Sequence, residues 1–199
     1  MAIDRVKRRK EVGEEIAQVL GMIDQAEIDA LADAIIKAKR VFCSGWGRAG
    51  NIVKTLGMNL IQCGLVAYNV GDNTTPGITE DDLLIIFSAH GNTRTIVVIA
   101  EEAKEHGAQV ALITGQKPEL CPIGKIADLC VYIPDPFNVI NRVDGKFVVT
   151  EVEGKEHTEI RKLLVYQIAY ILNELIEEVI MEKLNLTFDD IMRNHNNLE

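Results

Sequence analysis

Nowhere in these 199 residues do the roughly 20 consecutive apolar residues of a bilayer-spanning helix occur. Met1 to Lys10 is charged from Asp4 onward and carries no apolar core of the signal-peptide kind, which predicts a cytoplasmic location and no membrane partner. Cysteine is scarce. Cys43, Cys63, Cys121 and Cys130 show no CxxC spacing and lie in or beside apolar stretches, so they read as buried thiols rather than a zinc site or redox pair. Positive charge is short as well: 21 Lys and Arg against 30 Asp and Glu leave a net charge of −9. A nucleic-acid partner would want a basic face, so this balance argues against DNA or RNA. It leaves room for a small anion, because local dipoles and a single arginine decide a site of that size. Internal repeats and low-complexity segments are missing too.

What is present is ordinary in bulk and informative in order. An apolar content of 47% and a charged content of 26% suit one globular domain over residues 1–199. Residues 1–38 predict N-terminal helices, two of them between 4 and 38, with Asp24 as the cap of the second. Residues 40–134 predict a sheet core. Short β-rich runs recur there at Val41–Cys43, Leu65–Val70, Leu83–Phe87, Val110–Thr114 and Leu129–Ile133. Helical patterns separate most of them, at Ile52–Ile61, Thr93–His106 and Leu120–Ala127, with Gly107 placed to end the middle one. Continuously apolar strands alternating with helices imply a parallel sheet covered on both faces. The expected fold is α/β, a doubly wound five-stranded parallel sheet in the flavodoxin-like order 2-1-3-4-5. After Pro134 a polar stretch carries a hairpin signal at Asp144-Gly145. Residues 158–199 predict C-terminal helices: a long one from Thr158 to Leu184, apolar on more than one face, and then a short polar tail from Asp189. Such a helix serves the core and a subunit contact together, so a homo-oligomer is expected.

Two turns carry the chemistry. Ser44-Gly45-Trp46-Gly47-Arg48-Ala49-Gly50 follows the first strand, and Ser88-Ala89-His90-Gly91-Asn92-Thr93 follows the third. In the 2-1-3-4-5 order these strands are neighbours across the switch point, so both turns face one crevice. Small residues opening a helix leave unpaired N–H groups and the positive end of its dipole for an anion. Gly45, Gly47 and Gly50 together exceed what a tight turn demands. Ser88, Asn92, Thr93 and the free amides of the second turn suit a phosphomonoester, and His90 is placed to reach a phosphate or a sugar.

Other readings compete. Gly45-x-Gly47-x-x-Gly50 also satisfies the dinucleotide pattern, with Asp72 near the place of a ribose-binding acid, which keeps a nicotinamide oxidoreductase as an alternative. Bulky Trp46 and Arg48 in the turn count against it. His106 stands at a helix end as a dipole partner. His157 and His195 lie outside the sheet, and Glu151, Glu153, Glu156 and Glu159 form an acidic run before the long helix, of which one or two at most are catalytic.

At these residues the chain resembles the sugar isomerase (SIS) domain family, which binds phosphosugars. Gly45-Trp46-Gly47-Arg48-Ala49-Gly50 matches its Gly-x-Gly-Arg-Ser-Gly, and Val70-Gly71-Asp72-Asn73-Thr74-Thr75-Pro76 its Val-Gly-Glu-x-Thr-Thr-Pro. The ending Asn194-His195-Asn196-Asn197-Leu198 is similar to its Arg-His-x-Asn-Leu. The likeness runs from about residue 30 to the end, with a gap at 135–165. It implies a phosphosugar isomerase working through an enediol, without metal or organic cofactor. The implied substrate-binding set is Ser44, Gly45, Gly47, Arg48, Thr74, Thr75, Ser88, His90, Gly91, Asn92 and Thr93.

Two departures stand out. The family's second turn reads Ser-Gly-Ser-Gly-x-Thr, and Ala89 and His90 replace its Gly and Ser. Its glutamate follows a Gly-Thr/Ser-x-Phe motif that is absent here, and Glu159 is the positional substitute, with Glu156 and Glu153 as alternatives. His195 is implied as the partner that moves a hydroxyl proton or opens the ring, reaching the crevice of an adjacent subunit in a dimer or tetramer. A non-catalytic phosphosugar sensor is the second reading.

Overall fold

A computed structural model describes residues 4–136 and 164–198 in full, and 140–143 and 146–149 as backbone. Two helices open the chain, α1 (Arg5–Leu20) and α2 (Gln25–Lys37). Asp4 caps the first by accepting from the N–H groups of Val6 and Lys7, and Asp24 caps the second through Ala26, as expected.

The sheet then forms from β1 (Val41–Ser44), β2 (Ala67–Asn69), β3 (Leu83–Phe87), β4 (Gln109–Thr114) and β5 (Leu129–Tyr132). All neighbours are parallel and the order is β2-β1-β3-β4-β5, the one expected from the run order. β2 is shorter than its apolar run. It lies at the sheet edge and pairs with β1 alone, from Val41↔Ala67 to Cys43↔Asn69. Helices α3 (Arg48–Gln62), α4 (Arg94–Glu105) and α5 (Pro122–Ile126) connect the strands, α5 preceded by a 3-10 turn at Pro118–Leu120. Gly107, at φ +81°, follows α4 and lets the chain turn back toward β4.

Successive strand residues point to opposite faces, and each face owns a core. Val41, Cys43, Leu83, Ile85, Phe87 and Ile113 pack with α2, α3 and the long helix α6 (Val165–Leu184). Phe42, Leu84, Ile86, Val110 and Leu112 pack with Ile96, Ala100 and Ala103 of α4 and Ile123 of α5. α6 is tied to α3 by a polar clamp within the apolar layer: buried Asn173 donates to the Ile52 carbonyl at 2.8 Å and to Thr55 Oγ1 at 2.9 Å.

At the C-terminus one expectation goes untested and one is exceeded. α6 is described from Val165, and the expected start at Thr158 lies outside the described residues. The tail also folds. Residues Phe188–Asn194 form α7, started by a capping box in which Thr187 and Asp190 satisfy each other's backbone N–H. The hairpin signal at 144–145 is matched by the antiparallel pair β6 (Ile140–Val143) and β7 (Lys146–Val149).

At the N-terminal end of the strands Arg40 and Asp82 form a lock. Arg40 Nε and Nη2 donate to the two carboxylate oxygens of Asp82 at 2.9 and 2.6 Å, and the Thr79 N–H and hydroxyl donate to Asp82 Oδ2. These donors hold the Asp82 carboxyl below the usual range, against the desolvation that would raise it.

Candidate functional site

The opposite, C-terminal end of the strands is where ligands bind in open α/β sheets. β1 and β3 are adjacent there, with Ser44 in register with Ile86, so the two turns that follow them stand side by side. In the first turn Gly45 and Gly50 touch backbone to backbone. A Cβ on Gly45 would lie 2.9 Å from the Gly50 nitrogen, and one on Gly50 would lie 2.7 Å from the Gly45 oxygen. Gly47 sits at φ +61° with open space around it. The three glycines, read in the sequence as more than a turn demands, are therefore each required by this turn. The argument for a ligand rests elsewhere.

It rests on what lines the crevice. Trp46, Arg48, Ala49, Phe87, Ser88, Ala89, His90, Thr93, Ile96 and Tyr166 enclose a cavity of about 140 Å³. That is below the roughly 300–1,000 Å³ of sites that swallow a drug-sized ligand, and it suits a phosphate with its adjoining carbons better than a dinucleotide. Ser88 is buried, and its Oγ accepts the Gly91 N–H at 3.1 Å, which fixes the turn. Gly91 has φ +60°, and a Cβ there would sit 2.3 Å from Cys121 Sγ. Thr93 is the N-cap residue of α4, yet its side chain makes no capping bond, so its hydroxyl faces the crevice without that task. The dull explanation of Thr93 as a mere helix cap therefore fails.

Arg48 opens α3 on the other wall. Its Cζ lies 3.9 Å from the centroid of the Tyr166 ring, and Tyr166 meets Phe87 edge-on at 5.8 Å. Among the described residues Arg48 has no ion pair and is the one Lys or Arg lining this cavity. A cation, a donor-rich turn and the N-terminus of a 12-residue helix thus converge on one small space.

The structure does not bring every expected residue here. Ser44 is buried at the end of β1, and Gly45, Gly47, Gly91 and Asn92 belong to the two turns without lining the cavity. Thr74 and Thr75 lie on the β2–β3 loop, where the Thr75 hydroxyl donates to the Asn69 carbonyl at 2.6 Å. Asp72, the candidate ribose acid, pairs with Lys54 at 3.5 Å. His106 is the C-cap residue of α4. Glu151, Glu153, Glu156, His157 and Glu159 lie outside the described residues.

His195 ends α7 in a different groove of about 480 Å³, with Met58, Gln62, Tyr68 and Asn69. Neighbouring Asn194 donates to the Gln62 carbonyl at the far end of α3, about 20 Å of helix axis from Arg48. Tyr166 was missed in the sequence because it stands between apolar positions of a helix start and contacts a residue 118 positions away. Its one readable signal is an aromatic ring off the buried stripe of Val165, Ile168, Ala169 and Leu172.

The cysteines are not part of this chemistry. Burial pushes the Cys43 and Cys63 thiols up to about 12 and that of Cys130 to about 11, and Cys121 is raised for the same reason. Cys130 is only half-buried, which departs from the buried-thiol expectation for all four. Among the described residues no three His, Cys, Asp or Glu side chains gather as a metal site would need, and no helix is long and apolar enough to cross a membrane.

The SIS domain model matches residues 34–143, which contain β1 to β5 and both turns. The chain belongs to the SIS domain family. Within this family it is 32% identical to 3-hexulose-6-phosphate isomerase of Bacillus subtilis over 190 residues, covering 95% of this chain and 96% of that one. It is also 32% identical to the 3-hexulose-6-phosphate isomerase of Methanocaldococcus jannaschii over 86% of this chain and 84% of that one. A crystal structure from Methanococcus jannaschii, from which the function of 3-hexulose-6-phosphate isomerase was inferred, superposes with a TM-score of 0.77 at 27% identity, covering 97% and 99% of the two chains. The SIS assignment removes the ground for reading Gly45, Gly47 and Gly50 as a nicotinamide site.

Proposed function

We propose that this SIS protein is a 6-phospho-3-hexuloisomerase, converting 3-hexulose 6-phosphate to fructose 6-phosphate. The observation that carries the reading is the small crevice in which Arg48, without an ion pair among the described residues, faces Ser88, His90 and Thr93 at the start of α4. A phosphate held there gains charge-assisted hydrogen bonds and the α4 dipole. The remote binding energy then fixes the reacting carbons. Ser44, Gly45, Gly47, Gly91 and Asn92 fix the course of the two turns behind the lining residues, and Thr74 and Thr75, on the β2–β3 loop, are assigned to the sugar end of the substrate.

The reaction moves a carbonyl by one carbon. A base takes the proton from C2, beside the C3 carbonyl, an enediol forms across C2 and C3, and a proton is returned to C3. The O2 hydroxyl proton passes to O3, so atoms and charge balance with no electron acceptor and no cofactor. A carboxylate suits the carbon-bound proton and an imidazole the hydroxyl proton. Glu159 is assigned the first role, with Glu156 and Glu153 as neighbours able to take it, and His195 of an adjacent subunit the second. The assembly is a homodimer or homotetramer in the cytoplasm.

The test is solvent exchange. Fructose 6-phosphate incubated with the protein in D₂O acquires deuterium at C3, and a 3-hexulose 6-phosphate signal grows beside it in the NMR spectrum. Exchange at C1 instead would make the protein an aldose–ketose isomerase. Tight binding of fructose 6-phosphate without exchange at any carbon would make it a phosphosugar sensor.

A further inference from the structure

We propose that Tyr166 is the positioning residue for Arg48, holding the guanidinium at the crevice so that the substrate phosphate meets a cation already in place. The proposal rests on the reading of the crevice as a sugar-phosphate site. Arg48 is an exposed side chain on a long, flexible stem, and among the described residues no carboxylate fixes its head. An unrestrained arginine would lose much of its rotamer freedom each time a ligand arrived. The face of an aromatic ring attracts a cation without neutralising it. The Tyr166 ring, 3.9 Å from Arg48 Cζ, therefore holds the head in one place and leaves its charge for the ligand.

The ring is itself held. Tyr166 lies in the first turn of α6 between Val165 and Ile168, both buried, and the Leu164 N–H just before it donates to Asp135 Oδ2 at 3.2 Å. Phe87, also buried, meets the ring edge-on at 65°. Phe87 is the last residue of β3 and directly precedes Ser88. Phe87, Tyr166 and Arg48 thus form one stack from the root of the second turn to the end of the first. Tyr166 thereby joins the two walls, touching Phe87 on one and Arg48 on the other.

The experiment uses Trp46, the one tryptophan of the chain, which lines the same cavity and reports binding by fluorescence. Fructose 6-phosphate is titrated into the wild type, Tyr166→Leu, Tyr166→Phe, Arg48→Ala and the Arg48→Ala/Tyr166→Leu double variant. Tyr166→Leu should weaken binding by about 3- to 30-fold, the span of a cation–π contact from exposed to desolvated. Tyr166→Phe, which keeps the ring, should stay within about twofold. In the Arg48→Ala background, Tyr166→Leu should add nothing.

Equal losses in both backgrounds, or a Phe variant as weak as Leu, would overturn the proposal. A second measurement separates it from the function reading. The Arg48 side-chain protons of the ligand-free protein should be shifted by the ring in wild type and Tyr166→Phe and should return to ordinary positions in Tyr166→Leu. Unshifted protons in the wild type would sink the positioning role and leave fructose 6-phosphate binding intact. Equal wild-type affinity for fructose and fructose 6-phosphate would sink the site reading and the positioning role with it.

Discussion

Each end of the sheet carries one arginine beside one aromatic ring, and the two differ in what else holds the guanidinium. Arg40 lies 5.4 Å from the Phe42 centroid and is bonded at two points to buried Asp82. Arg48 lies over Tyr166 and has no carboxylate among the described residues. The Asp82 carboxylate also accepts from Thr79, so the N-terminal end of the sheet is a closed network with its donors and charge satisfied internally. At the C-terminal end, the Thr93 hydroxyl makes no capping bond, although Thr93 is the N-cap residue of α4. A satisfied cluster contributes stability, whereas one that leaves charge and donors uncommitted offers them to a ligand. The comparison separates structure from function where residue type alone cannot.

The largest expected effect on stability is at the closed end. Asp82→Ala leaves Arg40 and Thr79 without their shared acceptor and should lower unfolding free energy by about 1–3 kcal/mol, measured by urea denaturation. Its affinity for fructose 6-phosphate should be unchanged under conditions where it is folded. A weakened affinity with unchanged stability would reverse the assignment of the two ends.

Arg48→Ala should do the opposite. Binding of fructose 6-phosphate should weaken by about 1.5–3 kcal/mol, the worth of a hydrogen bond to a charged group, with the urea midpoint falling less than in Asp82→Ala, because only the contact with Tyr166 is lost. Ser88→Ala and Thr93→Ala should each cost about 1–3 kcal/mol of the same affinity, and Ser88→Ala some stability as well because its oxygen holds the Gly91 amide. Equal affinity of the wild type for fructose and its 6-phosphate would remove the distinction altogether.

A smaller effect follows from pH. The Asp82 carboxyl is held below its ordinary value in the folded chain by hydrogen bonds from Arg40 and Thr79 that outweigh desolvation. A depressed carboxylate contributes stability that is fully present above the unfolded value, near 3.9, and is lost as pH falls toward the lowered folded value. Acid titration should therefore show a stability loss beginning below about pH 4 that is absent in Asp82→Asn. The same slope in both proteins would mean that other carboxylates carry the acid transition.

Much of the frame was legible in the chain because it depends on local pattern. Leu83–Phe87 is an unbroken apolar run and forms a strand buried on both sides, and Asp24 caps α2 as its position promised. The crevice followed from strand order alone, since the turns after β1 and β3 can only be neighbours once those strands are. Legibility stopped where meaning is non-local. The stack of Phe87, Tyr166 and Arg48 joins three distant segments, and no periodicity announces it. Gly45 and Gly50 looked like ligand-facing glycines until their mutual contact accounted for them. α7 was hidden for a different reason: Phe188, Ile191 and Met192 are too few among four polar residues to show a stripe, and the helix is started by side-chain capping at Thr187 and Asp190, which hydropathy does not register.

The last test asks whether the open end is completed by a second subunit. Within one chain His195 lies in the groove beside Met58 and Tyr68, and Asn194 is fastened to the far end of α3, so His195 does not line the crevice that holds Arg48. If His195 acts in an adjacent subunit, Glu159→Gln and His195→Ala subunits are complementary. Each variant alone has every site broken. In an equal, randomly assembled mixture, a site is whole when its glutamate comes from a His195→Ala subunit and its histidine from a Glu159→Gln subunit. Each condition holds for half the sites, so about a quarter of wild-type activity should return, whether the closed assembly is a dimer or a tetramer. The mixture must be made by unfolding and refolding together, or by coexpression, because simple mixing leaves homo-oligomers intact. A site confined to one chain would give no recovery with both variants folded and assembled. A monomer by light scattering at micromolar concentration would count against the shared site before any mixing.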